Sequence, residues 1–128
     1  MTIEVHRILH VCGRESILGL RDQILTLHGY EVDSTLSPDQ ALKWVTERSY
    51  SLVLIDVEGD GQVAKSEKLC GEIKAHDPRQ KVVFICNYRV SLETDCPDEV
   101  IRAEFNPRLM IEGLKSFLDN ETDDDEAA

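Results

Sequence analysis

The stretch Ser37–Val57, SPDQALKWVTERSYSLVLIDV, decides the fold. Ser37 is placed as an N-cap, Pro38 sits in the first turn, and Gln40 takes the capping-box position. Ala41, Leu42 and Val45 then form the buried stripe of a helix. Leu52–Val57 follows as a nearly continuous apolar run, the pattern of a strand covered on both faces. It carries a single charge, Asp56, near its end.

The same alternation extends in both directions. Upstream, Arg7–Val11 (RILHV) reads as a short apolar strand. A helical pattern from Glu15 to about His28 follows, with Ile17, Leu20, Ile24, Leu25 and Leu27 near helical spacing. Gly29 stops that helix in the usual post-helical position. Tyr30–Ser34 alternates like a strand at a sheet edge. Downstream, Val63–His76 is a third helical pattern closed by Asp77-Pro78, and Lys81–Cys86 (KVVFIC) is another buried strand. Val100–Ala103 is a weaker strand. Asn106-Pro107 caps a last helix bearing Leu109, Met110, Leu114, Phe117 and Leu118. Strands alternating with helices at this spacing predict an α/β fold with a parallel sheet covered on both faces. Ligands on such sheets sit beyond the carboxyl ends of the strands. The residues to watch are therefore Cys12-Gly13, Asp56, Cys86-Asn87 and Arg102-Ala103.

Composition narrows the function classes. The chain has 128 residues and a formal net charge of −11, which sets it against nonspecific binding to nucleic acid or an anionic membrane. With 41% hydrophobic residues it can build one core. The expected organisation is one domain over 1–118 and an acidic disordered tail over 119–128, where six residues are acidic and none basic. Apolar stretches reach only about five residues, too short for a signal h-region or a membrane span. Cys12, Cys70, Cys86 and Cys96 form no CxxC pair and have no histidine at zinc-ligand spacing. Reduced thiols and a cytoplasmic location are expected. His6, His10, His28 and His76 are scattered without ligand spacing.

From Arg7 to Leu118 the sequence resembles the receiver domain of two-component response regulators, the CheY-like fold. The resemblance is carried by Ser37–Val57 and by Phe105-Asn106-Pro107 at the start of the last helix. It implies a three-layer, doubly wound five-stranded parallel sheet of order 2-1-3-4-5, the order given for this fold in general accounts of α/β sheets. Asp56 falls where the family carries its phosphorylated aspartate. In that family an acidic pair after the first strand, the aspartate and a backbone carbonyl two residues further on hold Mg²⁺. A lysine after the fifth strand and a Ser/Thr after the fourth bind the phosphoryl oxygens.

This chain departs from that pattern at nearly every other position. Cys12 and Gly13 replace the acidic pair, Cys86 the Ser/Thr, Ala103 the lysine, and Val100 the aromatic residue three before it. Mg²⁺ would be held weakly, by Asp56, the Glu58 carbonyl and water, with the side chains of Glu15, Glu58 and Asp60 as substitutes. Arg102 would stand in for the lysine if the fifth strand were shifted by one residue, which reverses side-chain direction. Phe105-Asn106-Pro107 favours Ala103. The span from Cys86 to Ala103 is short for the family, so its fourth helix should be short or missing.

The resemblance thus implies an atypical receiver with no catalytic residues, acting by protein–protein contact with a histidine kinase or another signalling protein, or as a homodimer. Phosphorylation of Asp56 should be slow or absent. The alternatives are a working phosphoacceptor with a non-standard metal site and a thiol redox module using Cys12 and Cys86.

Overall fold

In the computed structural model five strands and four helices alternate, and the structure describes residues 5–57, 60–86, 91–92, 94–103 and 106–127, with side chains for all of these except 60 and 120–127. The strands are β1 (Arg7–Val11), β2 (Glu31–Thr35), β3 (Leu52–Val57), β4 (Val82–Cys86) and β5 (Glu99–Arg102). The helices are α1 (Glu15–Leu27), α2 (Pro38–Glu47), α3 (Asp60–His76) and α4 (Pro107–Ala127). All pairings are parallel, as the strand–helix alternation predicts, and the sheet order is β2-β1-β3-β4-β5, as the resemblance implies. Among the described residues no helix lies between β4 and β5.

Local signals explain the element ends. The Ser37 side chain accepts a bond from the Gln40 N–H at 3.2 Å, closing the first turn of α2. Gly29 adopts φ +90 behind α1, a conformation that costs a glycine nothing. Asn106 Oδ1 accepts from the N–H groups of Arg108 and Leu109 at 3.0 and 3.2 Å and so starts α4. That helix continues to Ala127, through the acidic run that the sequence reading set apart as disordered. The last turn carries no basic residue to offset the helix dipole.

The core divides into two layers, because successive strand residues face opposite sides. Leu9, Val11, Val53, Ile55, Val57, Val82, Phe84 and Cys86 pack with Ala41 and Val45 of α2 and Val63, Leu69, Cys70 and Ile73 of α3. Ile8, Leu52, Leu54, Val83, Ile85, Ile101 and Ala103 pack with Leu25 of α1 and Met110, Ile111, Leu114, Phe117 and Leu118 of α4. By this alternation His10 and Asp56 point toward the α1–α4 layer.

Candidate functional site

The β3 run is buried along its whole length, Asp56 included. A carboxylate in such a place needs partners. Arg21 supplies the charge. Its Nε donates to Asp56 Oδ2, and Nη2 donates to Oδ1 at 3.4 Å. The side chains of Arg21 and Asp56 are 6% and 3% exposed. Arg21 Nη1 also lies 3.6 Å from the Met110 sulfur of α4.

His10, wholly buried near the carboxyl end of β1, extends the network. Its Nε2 is 3.5 Å from Asp56 Oδ2, and its Nδ1 is 3.0 Å from Asp22 Oδ1. Ser34 of β2 donates to the other Asp22 oxygen. Burial alone would lower the His10 pKa, but the bonds and charges of Asp22 and Asp56 outweigh it, and the net direction is upward from 6.5. With His10 protonated, two cations balance two carboxylates along the chain Ser34–Asp22–His10–Asp56–Arg21, which is buried from His10 to Arg21 and partly exposed at Asp22. Among the described residues no buried side-chain nitrogen or oxygen lacks a partner.

Asp56 thus has a cation that the sequence expectation lacked, and it is not Arg102: the guanidinium comes from Arg21 of α1. The missed signal is spacing. Ile17, Arg21 and Leu25 are the buried positions of α1, an i, i+4, i+8 stripe with a charge at its centre. Leu20 and Leu27, which the sequence reading assigned to the stripe, are 53% and 83% exposed. His10 gives a similar signal, a polar residue inside an otherwise apolar buried strand.

The other sequence candidates fall as follows. Ala103 is buried in the α1–α4 layer with Ile101, the layer Asp56 points toward, and its N–H donates to the Cys86 carbonyl at 3.1 Å. Arg102 is paired with Cys86 across β4–β5, and alternation turns its side chain toward the opposite layer. Val100 packs there. Burial pushes the Cys86 thiol up; Arg102 opposes this and the Asp56 charge adds to it. Cys12 is buried, and its sulfur donates to the Arg14 carbonyl at 3.4 Å. It joins His10 and Asp56, whereas Cys86 packs in the α2–α3 layer, two strands away from β1. Gly13 is exposed and Glu15 opens α1. Glu58, Asn87, Phe105 and the Asp60 side chain lie outside the described residues.

The donor set around Asp56 does not suit Mg²⁺. One ligand atom each from His10, Cys12 and Asp56 lies within 4.8 Å of the others, giving one nitrogen, one sulfur and one carboxylate. Mg²⁺ demands oxygen ligands in near-octahedral array. Both Asp56 oxygens are already engaged by Arg21. Beyond the strand ends a cavity of about 280 Å³ is lined by Cys12, Gly13, Asp56, Gln62, Lys65 and Ser66 with apolar neighbours.

No family model matches the chain, and no curated protein does. Solved structures do. A CheY-like response regulator receiver domain protein from Methanospirillum hungatei JF-1 is 26% identical, with a TM-score of 0.79 over 94% of this chain and 99% of that one. The response regulator TrrA of Thermotoga maritima, solved in complex with Mg²⁺ and BeF, is 28% identical, with a TM-score of 0.73 over 88% and 98%. The receiver domain of a putative repressor from Vibrio parahaemolyticus shares the fold at 14% identity, TM-score 0.77, over 97% and 98%.

The fold is that of a CheY-like receiver domain. Within this receiver fold, Asp56 stands at the carboxyl end of the central strand, where such sheets bind their ligands. No described helix is long and apolar enough to cross a membrane.

Proposed function

We propose that the chain is an atypical receiver module of two-component signalling that works through contact with another signalling protein, a signal-transducing module rather than an enzyme. A histidine kinase is one such partner, and a second copy of the chain is the alternative. Phosphorylation at Asp56 is slow or absent. One observation carries this reading: Asp56 is the acceptor of a buried ion pair with Arg21 and lies against His10. A nucleophile must leave such a pair before it can attack, and breaking it would strand two charges in a low-dielectric interior. Cys12, Gly13, Cys86 and Ala103, at the positions of the metal-binding and phosphoryl-binding groups, supply no compensating charge. The net charge of −11 supports a protein partner over nucleic acid. A single domain over 1–118 and cytoplasmic location remain part of the proposal.

The test is incubation of the full chain with acetyl phosphate and Mg²⁺, read by intact mass. The expected result is an unmodified chain. An Mg²⁺-dependent acyl phosphate that disappears in Asp56→Asn would overturn the reading. It would favour the alternative, a working phosphoacceptor that holds Mg²⁺ at Asp56 in a non-standard site.

A further inference from the structure

The segment 94–98, which leads into β5, is tied to α3 by a repeating set of contacts. Thr94 N–H donates to Glu67 Oε2 at 2.7 Å. The sulfurs of Cys70 and Cys96 are 2.6 Å apart. Lys74 Nζ donates to Asp98 Oδ2 at 2.6 Å, and that oxygen also accepts from the Val82 N–H at 2.8 Å. Positions 67, 70 and 74 share one face of a helix, and 94, 96 and 98 share one side of an extended chain. The segment 94–98 therefore runs as a strap along α3 with three alternating anchors, the middle one a pair of thiols.

We propose that Cys70 and Cys96 are a redox pair that closes to a disulfide by exchange with a low-molecular-weight disulfide of the glutathione class, fastening the strap to α3. Three observations support it. The two sulfurs are in contact, closer than non-bonded sulfurs ordinarily approach. The anchors on either side hold the backbone in place, so closure needs little rearrangement. Cys96 is partly exposed and Cys70 is buried, which assigns the roles. Burial, and then the neighbouring Cys96, pushes the Cys70 thiol up, so Cys96 is the entry point.

The chemistry balances. The Cys96 thiolate attacks one sulfur of the small disulfide, whose S–S bond breaks and releases one small thiol. Cys70, giving up its proton, then attacks the Cys96 sulfur of the mixed disulfide. The Cys70–Cys96 bond forms and the second small thiol leaves. The protein loses two hydrogens, and the small disulfide is reduced to two thiols that take them up. A small reducing thiol reverses both steps. This pair is distinct from Cys12 and Cys86.

The experiment equilibrates the full chain with reduced and oxidised glutathione over a range of ratios, then quenches in acid. Remaining thiols are alkylated under denaturing conditions, and the products are mapped by peptide mass. The expected result is loss of two alkylatable thiols out of four, both mapped to a Cys70–Cys96 disulfide. Cys70→Ala should stop at the mixed disulfide and accumulate glutathione on Cys96. Cys96→Ser, which keeps the buried thiol intact, should show neither disulfide nor adduct at Cys70. Pairing with Cys12 or Cys86, a mixed disulfide on Cys96 that never resolves in the unaltered chain, or four alkylatable thiols at every ratio would each overturn the proposal.

Discussion

Arg21 leaves the buried face of α1 to grip Asp56 at the end of β3, and neither side chain is more than 6% exposed. The pair joins a helix to the central strand through charge rather than through apolar packing. Its two members depend on each other, because either one alone would be an uncompensated ion in the core. Arg21→Met should therefore cost about 3–5 kcal/mol of stability, the usual penalty for breaking a buried pair. Combining Arg21→Met with Asp56→Leu removes both charges and should recover most of that loss. Urea unfolding of the two single variants and the double variant measures the coupling. Additive losses would show that the pair does not act as a unit.

The His10 site makes stability depend on pH with a definite sign. Its folded pKa is raised above 6.5, so the folded state binds a proton more tightly than the unfolded chain. The stabilisation is fully present below pH 6.5 and is lost as pH rises from there through the folded pKa. His10→Gln should flatten that slope. Unfolding free energies collected on both sides of neutrality, for the two chains in parallel, give the comparison.

Two helix glycines should respond oppositely to alanine. At Gly113 a Cβ would meet the Ile101 side chain at 2.9 to 3.1 Å, and Ile101 is itself buried. Gly113→Ala should destabilise by roughly 1 kcal/mol even after the helix-propensity gain. At Gly71 nothing lies within 4 Å. Gly71→Ala should stabilise by about 0.5–1 kcal/mol. Thermal midpoints of the two variants would move in opposite directions.

Ser37 caps α2 through a side-chain bond to the Gln40 N–H. Ser37→Ala should cost about 1 kcal/mol, and Ser37→Asp, which retains an acceptor, should cost much less. Chemical denaturation midpoints distinguish the two.

Most element ends could be read from residues with local causes, whereas the sheet order came from the family resemblance. LVLIDV had to be a covered strand, Gly29 had to end a helix, and Ser37-Pro38 had to start one. A fourth helix that is short or missing followed from the short span, and among the described residues none lies between β4 and β5. The partners of Asp56 were harder to see. Five apolar residues of α1 offered two competing faces, and the hydrophobic count favoured Leu20 and Leu27, which face solvent. The true stripe contains an arginine, whose place there is set by a carboxylate 35 residues away. Spacing marks Arg21 as an inward position of α1 but does not name the residue it meets on another element. The contact of Cys70 with Cys96 was hidden for the same reason: it depends on how the strap crosses α3.

The fork in the α1–α4 layer has a geometric consequence. Aliphatic side chains allow a helix to roll or slide over a sheet at small cost, because one greasy contact replaces another. A planar guanidinium held by two oxygens permits one azimuth and one height. Helix α1 is therefore keyed to the sheet at a single rotational setting, with Ile17 and Leu25 filling in around the key.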